Sequence, residues 1–432
     1  MMIRTYKEAL EWIHGRLRLG IKPGLERMEW LMEKLGHPER RVRAIHVAGT
    51  NGKGSTVSYL RHILQAAGYS VGTFTSPYVE KFNERISVNG KPVRDKEIVE
   101  LVQVIQPLAE ELEKTELGAP TEFEVITAMM FYYFGKKNIQ DVVIIEAGLG
   151  GRFDSTNVIY PILSIITNIG YDHMNILGET LEKIAFEKAG IIKSGVPVIT
   201  AVNQPEAWTV ISEKAKSLKA KTYRLEEDFF IVRHESAEDG ERFSVETIFS
   251  QYPDLKITMF GKHQVQNAAV AVMAAEYLRM CYSFLIEREH IYEGLEKAKW
   301  VGRFERVSDK PLIIIDGAHN EEGIHSLIDT VHSHYPNKDV HVLFAALADK
   351  PLDQMIPPLA GIAKTITFTS FDFPRAASAE QLAMLCEHPN KVATDDWKGW
   401  IKEKKKQKQS DALFLITGSL YFIAEVRKFL KK

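Results

Sequence analysis

The densest chemistry in this chain of 432 residues lies in Ile45-His-Val-Ala-Gly49-Thr50-Asn51-Gly52-Lys53-Gly54-Ser55-Thr56, an apolar run that enters a glycine-rich turn and leaves it as a helical pattern. That order suits a phosphate cradle. Glycines let backbone N–H groups converge on phosphate oxygens, the following helix aims its positive end at them, and Lys53 neutralises charge on the outer phosphates. A hydroxyl from Ser55 or Thr56 can position a phosphate or its Mg²⁺. The loop departs from the strict G-x-x-x-x-G-K-S/T pattern because Gly54 separates Lys53 from Ser55. A merely structural strand-to-helix turn would need the glycines, but neither the lysine nor the two hydroxyls.

Other polar residues stand where apolar runs end. Glu146 follows Val142 to Ile145, and Asp316-Gly-Ala-His319-Asn320 follows Leu312 to Ile315. Open parallel sheets collect ligands at the carboxyl ends of their strands, and a carboxylate there is a hard oxygen donor suited to Mg²⁺. Taken singly, each of these residues also has a plainer reading. Glu146 fits a solvated strand end or a cap, Arg303 a linker salt bridge, and His319 a structural histidine. Histidine is not a preferred Mg²⁺ ligand, so spacing alone makes His173 a hydrogen-bonded loop residue. A lone lysine in a helical pattern such as Leu181 to Gly190 reads as surface charge, which is the plain reading of Lys188. Phe123 fits a flat, partly apolar substrate slot and the core equally well.

These residues need a scaffold, and the chain spells one. Apolar runs typical of buried strands recur at Ala44 to Ala48, Val71 to Phe74, Val142 to Ile145, Ile162 to Ile166 and Pro197 to Ala201. Helix-period segments separate them, at Thr56 to Ala67, Glu97 to Glu113 and Phe123 to Phe134, with a helical pair at Tyr6 to Arg16 and Leu25 to Leu35 ahead of the first strand. Alternation of this kind predicts an α/β fold with a mostly parallel sheet. From Phe229 to Met259 the pattern shortens into strand-like pieces, a small antiparallel patch. After a helix at His263 to Tyr282, Lys297 to Arg306 reads as a linker. A second series, Leu312 to Ile315, Val340 to Phe344, Thr365 to Phe368 and Leu413 to Ile416, then predicts a smaller Rossmann-like domain. The expected boundary lies near Val301, giving a P-loop domain over 1–300 and a C-terminal domain over 301–432.

Composition narrows the partners. Lys plus Arg number 55 against 57 Asp plus Glu, a balance without the basic field that a nucleic-acid partner calls for. The five lysines between Lys402 and Lys408 lack interleaved aromatics and read as a solvated helix end or loop. Cys281 and Cys386 lack metal-type spacing and are expected as free thiols in a reducing cytoplasm. The segment Met1 to Gly15 is not a signal sequence by pattern, and no window nears 18 consecutive apolar residues, so neither export nor membrane insertion is expected.

Seven blocks occur in order along nearly the whole chain: Gly49-Thr-Asn-Gly-Lys-Gly-Ser55, Thr75-Ser-Pro-Tyr78, Phe82-Asn-Glu-Arg-Ile86, Glu146-Ala-Gly-Leu-Gly-Gly-Arg-Phe-Asp154, Asp172-His173, Glu187-Lys-Ala-Gly190 and Asp316-Gly-Ala-His-Asn320. Together they resemble folylpolyglutamate synthase/dihydrofolate synthase, a branch of the Mur ligase superfamily. The resemblance implies a two-domain, monomeric enzyme that holds ATP between its domains. Its reaction converts the carboxylate of dihydropteroate or a reduced folate to an acyl phosphate, which the amine of L-glutamate then attacks. It also implies roles for single residues. Gly49, Thr50, Asn51, Gly52, Lys53, Gly54, Ser55, Thr56, Asn267, Arg303 and Asp316 would contact ATP. Ser76 and Glu146 would hold one Mg²⁺ and His173 would help to hold a second. Lys188 matches the lysine that the family carbamylates with CO₂. Lys53, Lys188 and His319 form the catalytic set, with His319 near the reacting phosphate or the incoming glutamate. Thr121, Phe123 and Asp154 match positions associated with the pteroate group, and Arg85 is a candidate carboxylate contact.

Other functions fit less well. A ligase that extends a UDP-linked cell-wall precursor would be expected to carry a UDP-binding domain of roughly 100 residues before the P-loop, and here the loop opens at Gly49. A nucleotide switch or plain ATPase would not need the Asp316 to Asn320 block.

Overall fold

The computed structural model describes residues 3–408 and 411–431. Two compact units emerge: the chain up to Val232 with Val245–Tyr252 and Gln266–Lys297, and Arg233–Ser244 with Pro253–Val265 and the chain from Ala298 onward.

The first unit is built on eight strands: β1 (Ala44–Ala48), β2 (Val71–Phe74), β3 (Ile86–Val88), β4 (Lys91–Pro92), β5 (Val142–Glu146), β6 (Leu163–Ile166), β7 (Val198–Thr200) and β8 (Thr222–Arg224). They run in the order β4-β3-β2-β5-β1-β6-β7-β8. From β2 through β8 neighbours are parallel, and β3 and β4 add an antiparallel edge. β1, β5 and β6 are buried along their whole length, the signature of a sheet covered on both faces. One face packs Ala44, Phe74, Val143 and Ile145 with helical residues such as Ile13, Met28, Leu101 and Met129. Farther along the same face, by register, Ala48, Ile166 and Val198 pack with Ile184 and Ile211.

Strand β1 lies where successive connections diverge, toward β2 across β5 on one side and toward β6 on the other. A crevice opens at the carboxyl end of such a strand, and the glycine-rich loop leaves β1 there. The helix that follows spans Lys53–Ala66, three residues earlier than the helix-period pattern suggests. Gly54 does not delay it, because the entropic cost of one glycine in a helix is only about 1 kcal/mol. The β3–β4 hairpin is an element the apolar pattern did not announce. Its signal is the dipeptide Asn89-Gly90, both at positive φ (51° and 72°), as a tight hairpin turn requires.

Strands β9 (Phe229–Ala237), β10 (Gly240–Thr247) and β11 (Gln251–Ile257) form a three-stranded sheet in the order β11-β10-β9, divided between the two units. Their connections of two and three residues permit only antiparallel neighbours. The second unit's sheet has β12 (Glu305–Asp309), β13 (Leu312–Ile315), β14 (Val340–Phe344), β15 (Ala363–Phe368), β16 (Lys391–Ala393) and β17 (Leu413–Thr417), in the order β12-β13-β17-β14-β15-β16. All pairs are parallel except β12 with β13. The segment Lys297 to Arg306, expected as linker, is shorter: Lys297 closes a helix and Glu305 opens β12. The polar composition of this edge strand hid it. Lys402, Lys404 and Lys405 fall in the last turn of the helix Trp397–Lys405. Cys281 and Cys386 are free thiols. Among the described residues, no helix is long and apolar enough to cross a membrane.

The helix Glu122–Tyr132 carries Phe123, and its start is clamped from the N-terminal segment. Arg27 Nε lies 2.8 Å from Glu124, with the two side chains only 10% and 3% exposed. Arg16 and Lys22 donate to the carbonyls of Pro120 and Ala119. Removing one partner of a buried ion pair strands the other's charge, so Arg27→Met is expected to lose about 3 kcal/mol of stability in urea unfolding. A loss below about 1 kcal/mol would show that the pair does not hold this corner together.

Candidate active site

The P-loop is held from two sides. Toward β6, Asn51 N donates to Asn168 Oδ1 (2.8 Å), Thr167 Oγ1 donates to Asn51 O (2.6 Å), and Thr50 exchanges hydrogen bonds with the backbone of Gly170. At its helical end, Gly52 has φ 81° and lies so close to Asn267 that a Cβ there would come within 2.3 Å of Asn267 Oδ1. Only glycine meets both demands. Ser55 and Thr56 fall in the first turns of the helix Lys53–Ala66, both buried.

Two lysines converge on this loop. Lys53 Nζ donates to the carbonyls of Gly49 (3.0 Å) and Thr50 (3.1 Å). Lys188 Nζ donates to the same Gly49 oxygen at 3.0 Å. Far from a surface charge, Lys188 is 4% exposed. Its helix, Leu181–Ala189, reaches the loop because Gly151 carries no side chain: a Cβ there would meet the Lys188 carbonyl at 2.8 Å. Arg152 completes the seam with hydrogen bonds to the Glu187 carboxylate. Burial, reinforced by the Lys53 charge and opposed by Asp172 and Asp154, pushes Lys188 down to about 7.

Glu146 ends β5 beside β1, in register with Val47, and is 4% exposed. Its Oε2 accepts the Ser76 N–H at 3.3 Å, so the two residues expected to share a cation do meet. Among the described residues no three His, Cys, Asp or Glu side chains gather for a metal. His173 heads a four-residue helix, with its N–H bonded to Asp172 Oδ1 (2.9 Å) and its ring 3.9 Å from the other carboxylate oxygen.

The substrate candidates fall into two patterns. Phe123 is half-buried against Phe74, and its ring covers Gly148, where a Cβ would lie 2.5 Å from Phe123 Cζ. Asp154 is buried, accepts N–H bonds from Leu149 (2.8 Å) and Thr156 (3.0 Å), and so braces the loop behind Gly148. Burial pushes its carboxyl up. Thr121 caps its helix by accepting from Glu124 N. Arg85 lies over the rings of Tyr78 and Phe82.

In the second unit, Asp316 follows β13 and accepts the N–H groups of Phe304 and Ala318, both at 2.7 Å. Burial raises its carboxyl and Arg303 opposes the shift. The Arg303 guanidinium also holds His263 low, second to burial, at about 4. His319 Nδ1 lies 2.8 Å from Gly317 O, and Asn320 caps the helix Glu321–His334 through Gly323 N. Thr167 and Asn168 were missed in the sequence. Their signal was the one that marked Glu146, polar residues directly after a buried strand at the ligand edge.

Comparison with known proteins decides what this arrangement belongs to. The Mur ligase middle domain matches residues 47–275, and the Mur ligase glutamate ligase domain matches residues 302–420. The dihydrofolate synthase/folylpolyglutamate synthase of Bacillus subtilis is 51% identical over 430 residues, all of both chains. The chain belongs to this branch of the Mur ligases. The folylpolyglutamate synthase of Mycobacterium tuberculosis with ADP superposes with a TM-score of 0.92 at 27% identity, covering 99% of each chain. An FPGS–AMPPCP–folate complex gives 0.84 at 32% identity, covering 99% of this chain and 100% of the other. This ligase is therefore an ATP-dependent enzyme with the two-domain α/β fold of its family.

Lys188 gives the ligase a pH signature. The folded chain holds the amine neutral above about pH 7, whereas unfolding returns it toward its ordinary value of 10.5. Unfolding then takes up a proton between those values, so stability rises with pH across that window, by up to about 1.4 kcal/mol per unit from this group. Urea unfolding of Lys188→Met between pH 7 and 9 in CO₂-free buffer should lack that slope. Identical slopes in mutant and parent would mean that Lys188 is not held neutral.

Proposed function

We propose that this ligase joins L-glutamate both to dihydropteroate and to the γ-carboxylate of reduced folates, through an acyl phosphate formed from ATP. The observation that carries the mechanism is the convergence of Lys53 and the buried Lys188 on one P-loop carbonyl. Likeness along the full length of a bifunctional relative supports the substrate pair.

A carboxylate is a poor electrophile, so its oxygen first takes the γ-phosphoryl group as the bond to ADP breaks. The glutamate amine then forms the amide and phosphate leaves. Catalysis of phosphoryl transfer is mainly positioning and charge stabilisation. Gly49 to Thr56, with Asn267, form the phosphate cradle, and Lys53 exchanges loop carbonyls for phosphate oxygens. Mg²⁺, two ions in this reading, would neutralise phosphate charge when bound, and Ser76, Glu146 and His173 would hold it. Thr121, Phe123 and Asp154 serve the pteroate group and Arg85 a carboxylate. In the C-terminal domain, Arg303 and Asp316 serve ATP and His319 the incoming glutamate.

The neutral Lys188 amine keeps a lone pair that can attack CO₂. An N–C bond forms, a proton leaves, and the carbamate places an anion beside Lys53. We also propose a cytoplasmic monomer, in keeping with the free thiols; a sedimentation mass of twice the chain would refute it.

Assays with ATP and glutamate should show turnover of dihydropteroate and of a reduced folate alike, and a substrate carboxylate labelled with ¹⁸O should pass one labelled oxygen to phosphate. Turnover of only one substrate would refute bifunctionality, and unlabelled phosphate would exclude the acyl phosphate. Lys188→Ala should be nearly inactive, and acetate at matched ionic strength should restore part of the rate by replacing the anion. A mutant that keeps more than about a tenth of the rate, a barrier change under roughly 1.4 kcal/mol, would remove Lys188 from the mechanism.

A further inference from the structure

His46 is an odd resident of the central strand. It is fully buried between Ile45 and Val47 on β1, where an apolar side chain would cost nothing in lost water contacts. Its Nε2 lies 2.8 Å from Thr156 Oγ1, and that hydroxyl in turn contacts Asp154 Oδ1. Backbone N–H groups donate to both oxygens of Asp154, which favours its carboxylate form. A carboxylate accepts, so the Thr156 hydroxyl donates to Asp154, and its oxygen is then left to accept from His46. His46 must present an Nε2–H, which leaves Nδ1 as the lone-pair nitrogen. Nδ1 is buried without a hydrogen-bond partner among the described residues. Burial, with a smaller push from Lys193, holds the ring at about 3 and so uncharged.

A buried imidazole with one unsatisfied nitrogen is a poor packing choice unless the other nitrogen is needed. Here it is needed by the loop that Asp154 braces. With Oδ1 on Thr156 and Oδ2 on Leu149 N (2.8 Å), the carboxylate fixes the strand exit that runs under the Phe123 ring at Gly148. We propose that His46 is a positioning residue that, through Thr156, orients Asp154 and its loop for the pteridine-bearing substrate. This rests on the reading of Phe123 and Asp154 as the pteroate slot.

Four variants test it: His46→Leu, His46→Gln, Thr156→Val and Asp154→Ala, each assayed for KM of dihydropteroate, KM of ATP and kcat, with a thermal melt. Losing one link of the chain should raise KM for dihydropteroate about tenfold in His46→Leu and Thr156→Val. KM for ATP should stay within about twofold. His46→Gln, which keeps an N–H donor, should recover to within about threefold of the parent. Equal KM values for the Leu and Gln variants, or a parallel rise in KM for ATP, would overturn the relay and leave His46 as packing. If Asp154→Ala raises KM while His46→Leu and Thr156→Val do not, the relay alone fails; if Asp154→Ala changes nothing, the slot reading fails with it. Should His46→Leu not fold, Thr156→Val, which keeps the side-chain shape, decides by the same criterion.

Discussion

The carbonyl oxygen of Gly49 receives two lysine side chains, and most of the site follows from that. Two ammonium groups that share one acceptor repel each other, and the repulsion is strongest where water is excluded. The half-buried Lys53 can turn its charge toward phosphates. Lys188 has no such freedom, because burial opposes its charged form and Lys53 adds to that opposition. In the proposed mechanism this divides the labour between two like residues, Lys53 serving phosphate and Lys188 serving as a nucleophilic amine at the same loop.

The packing around the loop exists to sustain this encounter. The Lys188 helix can approach because the Gly148-Leu-Gly-Gly-Arg152 turn presents bare backbone: a Cβ at Gly190 would meet Arg152 Cα at 2.3 Å, and one at Gly151 would meet the Lys188 carbonyl. Thr167 and Asn168 fix the P-loop from β6. Glu146, one strand across from the loop's origin, sits in the same crevice because β5 and β1 are neighbours in register. The clamp of Arg16, Lys22 and Arg27 holds the other wall, where Phe123 begins its helix. Each contact is ordinary, and their convergence at one sheet edge makes a site.

Much of this was legible in the sequence, for identifiable reasons. Buried parallel strands write themselves as largely apolar runs, so β1, β5 and β13 and the residues at their ends could be placed without coordinates. Edge strands carry no such mark. β12, with Glu305 and Asp309 in five residues, passed for a linker, and β3 and β4 were announced only by their turn. The burial of Lys188 was invisible to pattern, since a helix in sequence does not reveal how closely a distant glycine turn will approach it; only the family resemblance singled it out. Thr121 and Asp154, singled out by the family resemblance, also spend polar atoms on nearby backbone, a cap and a loop brace that no sequence pattern announced.

The state of the Lys188 nitrogen is where chemistry and packing meet, and it can be observed directly. With ¹³C-bicarbonate at pH 8, the carbon NMR spectrum of the protein should show a carbamate resonance that is retained in Lys53→Ala, lost in Lys188→Ala, and weakened as the pH falls below about 7, where protonation takes the amine away. A resonance that survives Lys188→Ala, or none in the parent protein while the ligase is active under the same conditions, would contradict a neutral, reactive lysine at the P-loop.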